Sequence, residues 1–159
     1  MNSILSLLEK DATLTAKQIA VMLNMDENEV AKEIKRYEED NTILGYRAIV
    51  NWENTDRELV SAMIELKVTP QLGEGFEKVA QQIEQYSEVS SVFLMSGGFD
   101  IWVLVEGKTM KEVALFVAEK LAPMEQVLST ATHFVLKKYK IDGIVADDCS
   151  EDPREVITL

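Results

Sequence analysis

Apolar positions follow a helical period through residues 1–40. Ile4, Leu5, Leu7 and Leu8 give one face to a short helix from Asn2 to Lys10. Asp11-Ala12-Thr13 is a loop. Thr15 is placed to cap a second helix, Gln18 completes a capping box, and Ile19, Ala20, Met22 and Leu23 supply the buried side. Asn24-Met25 is a tight turn in which Asn24 can take left-handed backbone. Asp26 then caps a third helix, with Glu29 placed to bond back to the Asp26 N–H. Val30, Ile34 and Tyr37 form its single apolar stripe. Lys32, Lys35 and Arg36 fall off that stripe, and Asn41 and Gly45 read as stop and turn residues. Three helices, the last two joined by so short a turn, outline a helix-turn-helix.

The period changes after the third helix. Thr42 to Val50 is β-type with one glycine and predicts a small wing or a strand leading out. The polar run Asn51 to Asp56 marks a linker. Beyond it the pattern gives a strand at Leu59–Thr69, a break at Gly73-Glu74-Gly75 and a helix marked by Phe76, Val79, Ala80 and Ile83. A strand at Val89–Met95, a turn at Ser96-Gly97-Gly98 and a strand at Phe99–Val105 come next. A helix capped by Thr109, with Glu112 in the capping-box position, ends at Ala122-Pro123, and Val127–Tyr139 is the last strand. The order is β-α-β-β-α-β, a ferredoxin-like split unit. The fold class is therefore α+β: a (winged) helix-turn-helix over residues 1–50, a linker over 51–58, a ferredoxin-like domain over 59–142 and an acidic tail over 143–159. A sheet with helices on one face must meet water or another subunit on the other. With Ile101, Val103, Phe134 and Leu136 available to either face, oligomerisation is expected. Two readings stand for the tail: a frayed terminus, or Glu155-Val156-Ile157-Thr158-Leu159 adding a strand to a sheet edge.

Composition narrows the classes. The 159 residues are 47% hydrophobic, enough for packed cores, and no apolar run approaches the ~20 residues a membrane span needs. The first residues lack a basic stretch and a cleavage pattern, so a cytoplasmic protein is expected. One cysteine, Cys149, excludes an internal disulfide and a multi-cysteine zinc site, and no cofactor is implied. The net charge is −12. Residues 1–50 hold 6 basic and 9 acidic side chains, residues 51–142 hold 9 and 14, and residues 143–159 hold 1 and 5. No segment is basic overall, so any grip on phosphate must come from local clusters.

Three motifs carry a resemblance to the Lrp/AsnC (feast/famine) family of transcriptional regulators, over roughly residues 2–141. Leu14-Thr15-Ala16-Lys17-Gln18-Ile19-Ala20 is similar to the start of the family's second helix. Ile34-Lys35-Arg36-Tyr37-Glu38-Glu39-Asp40-Asn41-Thr42-Ile43-Leu44-Gly45-Tyr46 resembles its pattern hydrophobic-Lys-Arg-Leu-Glu-Glu-x-Gly-hydrophobic-Ile-x-Gly-Tyr. Ser96-Gly97-Gly98-Phe99-Asp100 is similar to its Thr-Gly-x-Tyr-Asp turn. The acidic tail with an apolar end resembles a Firmicute subgroup. Tyr37 stands for a usual leucine and Asn41 for a usual glycine. Lys32-Glu33 stands where two basic residues are common, and Asp26, Glu27 and Glu29 where Ser, Pro and Thr are common. The resemblance implies a DNA-binding regulator that responds to a small amino acid or related metabolite. It also implies a homodimer, formed through the ferredoxin-like sheets, that assembles to a tetramer or octamer.

Candidate sites follow from both readings. On the third helix Asn28, Lys32 and Glu29 (with Glu33 beside them) can reach base edges, since acidic side chains accept from cytosine N4. Thr15, Lys17, Lys35, Arg36 and Arg47 would hold phosphates. Against this stands an ordinary solvated helix face with intrahelical pairs such as Glu29–Lys32. For an effector, Met95, Ser96, Gly97, Gly98, Phe99 and Asp100 form the turn, where exposed N–H groups could hold a carboxylate and Asp100 an ammonium. Ser129, Thr130 and Thr132 are polar partners from the last strand. Against it stands a plain hairpin with Gly97-Gly98 as a two-residue loop. His133, the single histidine, reads as structural. A metabolite-sensing oligomer with weakened DNA binding, acting through protein partners, is the alternative function. An enzyme is not expected: tetrapyrrole decarboxylases that resemble this family carry histidine and arginine around the middle turn, and Ser90–Trp102 has neither.

Overall fold

In the computed structural model, which describes residues 3–70 and 75–146, the chain divides after Val50 into two units. The first holds α1 (Ser3–Lys10), α2 (Ala16–Leu23) and α3 (Glu27–Glu39). Their stripes meet in one core of Ile4, Leu8, Ile19, Ala20, Val30 and Tyr37. The capping box of α2 forms as predicted: Gln18 N–H donates to Thr15 Oγ1 at 3.3 Å, and Thr15 N–H donates to Gln18 Oε1 at 2.8 Å. Asn24 ends α2 in left-handed backbone (φ 52°, ψ 47°), which lets the chain reverse within three residues. Asp26 then caps α3, its Oδ1 accepting from the N–H groups of Asn28 and Glu29 at 2.9 and 3.2 Å. The return bond expected from Glu29 is not made. A second carboxylate brought back to the Asp26 N–H would lie beside that of Asp26 and face like charge.

The end of α3 explains Asn41. Its φ is 58°, its N–H donates to the Glu38 carbonyl at 3.4 Å, and Ile43 N–H reaches back to the Tyr37 carbonyl at 2.8 Å, so left-handed backbone at C′ lets carbonyls of the last turn find donors. Asparagine is the residue that tolerates this conformation best after glycine. The wing or strand expected over Thr42–Val50 does not form: the segment runs without strand pairing. Ile43 still packs on the helical core, but Leu44 is 91% exposed. A β-type segment with no neighbouring strand in its own unit has no ladder to join.

The second unit opens with a 3₁₀ turn at Trp52–Asn54, capped by the Asn51 side chain. It then carries β1 (Val60–Val68), α4 (Glu77–Ile83), β2 (Val89–Leu94), β3 (Ile101–Gly107), α5 (Met110–Phe116) and β4 (Val127–Phe134). The sheet order is β2-β3-β1-β4 and every pairing is antiparallel, which is the ferredoxin-like arrangement predicted from the element order. Alternation decides the faces. Ala62, Ile64 and Leu66 of β1 and Ile101, Val103 and Val105 of β3 are buried in one core with Val79, Ile83, Val113, Phe116 and Leu121. Met63 and Glu65 of β1, with Trp102 and Leu104 of β3, are set one residue out of step and take the uncovered face. Phe93 of β2 joins them, its ring 5.4 Å from that of Trp102. The expectation for this face is thus corrected. Ile101 and Val103 pair with Leu66 and Ile64, and Phe134 with Ala62, all on the helix side. Leu136 lies beyond β4, which ends at Phe134 rather than Tyr139.

Three further departures have local causes. Glu112 bonds one residue upstream of its expected capping-box partner: Thr109 Oγ1 accepts from Glu112 N–H at 3.1 Å, while Glu112 Oε2 accepts from Lys108 N–H at 2.7 Å. After Phe116 the last helix widens into a π turn at Val117–Leu121. There Lys120 Nζ lies 2.6 Å from Glu88 Oε1 and 5.1 Å from the centre of the Tyr86 ring. That contact holds the Glu88 carboxyl below its usual range. Finally β5 (Lys140–Ile141) and β6 (Ile144–Val145) form a small hairpin through Asp142 and Gly143, both at positive φ (45° and 87°). Asn51 Nδ2 donates to the Ala146 carbonyl at 2.8 Å, so the hairpin closes back on the start of its own unit. The frayed reading of the tail over 143–159 thus does not hold for Gly143–Ala146; from residue 147 on, the frayed reading and the added strand at 155–159 both fall outside the described residues.

The left-handed end of α3 gives a test. Asn41→Gly, which removes the Cβ, should raise the melting temperature followed by circular dichroism, and Asn41→Ala, which keeps the Cβ but loses the polar side chain that eases left-handed backbone, should lower it by up to about 1 kcal/mol of stability. Equal melting of the alanine variant and the parent would contradict the assignment.

Candidate nucleic-acid interface and effector site

The helical repeat sends Asn28, Lys32, Lys35 and Arg36 to the side of α3 opposite Val30, Ile34 and Tyr37, and all four are exposed. Their charges are not equally available. Arg36 donates through Nε and Nη2 to a single oxygen, Glu33 Oε2, at 3.1 and 2.7 Å, and its guanidinium lies 5.0 Å from the centre of the Tyr37 ring. Bonds to Tyr37 and Glu33 raise the Arg36 pKa above its already high ordinary value. Lys35 Nζ sits 3.5 Å from Glu39 Oε1. Lys32 and Lys17 make no ion pair among the described residues. The Glu29–Lys32 pair expected for a solvated face does not form. Glu29 stays in the first turn of α3, exposed. Arg47 is exposed in the extended segment after α3. Thr15 is committed elsewhere, since its hydroxyl also donates to Gln18 Oε1 at 2.8 Å. The face therefore presents Asn28 and Lys32 one turn apart. An amide can read adenine there and an ammonium can read guanine or hold phosphate.

The turn between β2 and β3 is wider than a two-residue loop. Met95 N–H donates to the Asp100 carbonyl at 2.8 Å, which leaves Ser96, Gly97, Gly98 and Phe99 as the loop. Met95 through Gly98 are exposed, and Phe99 and Asp100 half-buried. A Cβ built on Gly97 or Gly98 would meet nothing within 4 Å. Packing within this chain therefore demands neither glycine, although Gly97, at φ 147°, has a conformation that favours one. Asp100 carries a duty that its sequence context does not announce. Its N–H donates to the Leu66 carbonyl, and its Oδ2 accepts from Val68 N–H at 2.9 Å. This is where β1 shifts register against β4 between Lys67 and Val68. The carboxylate thereby satisfies a backbone donor at an irregularity in the sheet. Its Oδ1 oxygen has no protein partner among the described residues.

The three β4 candidates are not brought together. Thr130 and Thr132 register with Leu66 and Ile64 on the helix-covered face, whereas Ser129 registers with Lys67 on the open one. Leu94, Ile101, Leu66 and Thr130 form one row across the sheet. The loop and the start of β4 thus share an end of the sheet, with β3 and β4 about 10 Å apart across β1. His133 lies on the open face, its Nε2 3.3 Å from Glu65 Oε1. The opposite end of the sheet has a charged cleft of about 510 Å³, lined by Arg57, Glu58, Glu106, Lys108 and Glu112 among others. No spacing motif marks it in the sequence. Among the described residues no cluster of three or more His, Cys, Asp or Glu could hold a metal ion, and no helix is long and apolar enough to cross a membrane.

Comparison with known proteins places this arrangement. The profile of the Lrp/AsnC ligand binding domain matches residues 61–145. The chain is 42% identical over 156 residues to YugG of Bacillus subtilis, an uncharacterized HTH-type transcriptional regulator, covering 98% of this chain and 94% of that one. Among solved structures, the transcriptional regulator NMB0573 of Neisseria meningitidis in complex with L-Met superposes with a TM-score of 0.70 at 22% identity, over 90% of this chain and 92% of that one. AsnC of E. coli does so with 0.66 at 16%, over 87% and 91%.

Asp100→Ala should destabilise the second unit by about 1–3 kcal/mol, because the Val68 N–H loses its acceptor. Asp100→Asn keeps an acceptor oxygen and should cost less. An alanine variant that melts with the parent would show that the carboxylate braces nothing.

Proposed function

We propose, from the premise that the chain belongs to the Lrp/AsnC family of transcriptional regulators, that α3 lies in a groove of operator DNA while the ferredoxin-like unit senses a small amino acid or related metabolite. The observation that carries the DNA reading is the outer stripe of α3. Asn28 and Lys32 are exposed there, and Lys32 has no ion partner among the described residues. In this reading Asn28, Glu29 and Lys32 face bases, and Lys17, Lys35, Arg36 and Arg47 face phosphate. Thr15 holds the start of α2 and serves DNA only by positioning. The family and its relatives are regulators rather than enzymes.

For the effector, the loop Met95–Phe99 offers open backbone, and Asp100 Oδ1 has no protein partner among the described residues. A carboxylate on the loop N–H groups and an ammonium on Asp100 Oδ1 would suit an α-amino acid. Thr130 and Thr132 lie at the same end of the sheet on the helix side, and Ser129 on the open side, so one protomer does not enclose the ligand. A second protomer would complete the site, and the open face with Phe93 and Trp102 is the surface that would recruit it. A homodimer, growing to a tetramer or octamer, acting in the cytoplasm is the form this reading requires. The alternative, a sensing oligomer whose DNA grip has weakened and which acts through protein partners, is favoured by the Arg36–Glu33 and Lys35–Glu39 pairs.

Binding to the region upstream of its own gene, followed by gel shift as salt is varied, separates the two. With Lys35 and Arg36 held by carboxylates, about four phosphates neutralised per dimer give a slope of log K against log salt of about −3 to −4. A slope near zero would refute groove binding by α3. In a thermal-shift panel of the twenty amino acids, a true effector at about 100 times its Kd should add about 2.7 kcal/mol of stability. A flat panel would refute amino-acid sensing.

A further inference from the structure

We propose that Glu33 is a built-in competitor for Arg36 that holds down sequence-independent binding to DNA. This rests on the reading that α3 meets DNA, and it concerns how strongly that face grips phosphate. The Arg36 contact is closer than that of Lys35: two N–H groups converge on Glu33 Oε2, at 2.7 and 3.1 Å, and the guanidinium carbon lies 5.0 Å from the centre of the Tyr37 ring. Glu33 is three residues upstream on the same helix and is itself partly covered, with its side chain 39% exposed. The pair is therefore pre-formed, and its geometry is set within one turn of helix.

A phosphate oxygen approaching Arg36 faces two routes. It can displace the Glu33 carboxylate, giving up the two charge-assisted bonds already in place, or it can join a pair whose net charge is zero. Either route releases fewer counterions than a free arginine would, and counterion release is the main source of sequence-independent affinity. Lys35 and Glu39 repeat the device more loosely, at 3.5 Å and with both side chains largely exposed. Glu27 supplies the internal comparison. It also lies on α3 and carries the same charge, but it makes no ion pair or side-chain hydrogen bond among the described residues. Its effect on DNA can come only through the general field.

The test is fluorescence anisotropy of the full chain on a random-sequence duplex, titrated from low to moderate ionic strength. The parent, Glu33→Gln, Glu27→Gln, Lys32→Ala and the double variant Glu33→Gln/Arg36→Gln are compared, with melting temperatures to show that each folds. Glu33→Gln should tighten binding roughly fivefold to tenfold per recognition helix near 0.1 M salt and steepen the salt slope by about 0.9 per helix. Glu27→Gln should do distinctly less, and Arg36→Gln added to Glu33→Gln should return the slope to that of the parent. Equal effects of Glu33→Gln and Glu27→Gln, or no tightening by Glu33→Gln, would overturn the proposal. Its failure is distinguishable from failure of the DNA reading itself. If Lys32→Ala still weakens binding, α3 meets DNA without Glu33 as competitor. If Lys32→Ala has no effect either, the face does not meet DNA and both fall.

Discussion

The constraint on which the rest depends is the one-sided sheet. A four-stranded sheet whose helices cover only one face must leave the alternate residues of every strand outside the core. Here those residues are not an ordinary solvated set. Phe93 and Trp102 pack with tilted rings beside Met63 and Leu104, with His133 Nε2 3.3 Å from Glu65 Oε1 among them. Each large apolar side chain buried from water contributes about 1.5–3 kcal/mol. A second copy of the chain set on this face by a two-fold axis would cover it. The helix-turn-helix has the opposite character. Its core is small and its outer face is nearly neutral once Glu33 and Glu39 have taken their partners. In the proposed reading, a helix-turn-helix with few available cations gains its affinity from being presented more than once on an oligomer.

The same economy runs through the end of the sheet. Asp100 is an acid in the turn proposed above to hold the effector, yet one of its oxygens is already engaged by Val68 N–H at the β1 irregularity. A ligand ammonium would therefore engage a carboxylate that is held in place beforehand, which lowers the cost of ordering the site. The open space at Gly97 and Gly98 fits the same picture, since no side chain among the described residues fills it.

Much of this was legible in the residues. The caps at Thr15 and Asp26, the αL-tolerant Asn24 and Asn41, and the stripe Val30-Ile34-Tyr37 fix three helices by local chemistry, and local chemistry is what a single sequence displays best. The order of strands and helices in the second unit followed from period changes. What stayed hidden was non-local. In Phe99–Val105 both faces are apolar, so only pairing with β1 reveals that Ile101 and Val103 are core while Trp102 and Leu104 are surface. Thr42–Val50 has strand composition but no neighbour in its own unit. Ser129 and Thr130 differ by one residue and so by a whole face. The β5–β6 hairpin is the exception: Asp142-Gly143 between Ile141 and Ile144 was a local turn signal that the tail's acidity obscured.

The central claim, that the open sheet face joins the subunits which let a weakly charged helix-turn-helix hold DNA, is tested most directly by Trp102→Glu. Sedimentation and DNA anisotropy would be read on the same sample, with circular dichroism to confirm the fold. Trp102 is on the uncovered face and outside the buried core, so the charge should spare each unit's interior. The account predicts a folded monomer that no longer binds the duplex at concentrations where the parent does. A folded monomer that binds as tightly as the parent, or a variant that stays fully assembled, would contradict it.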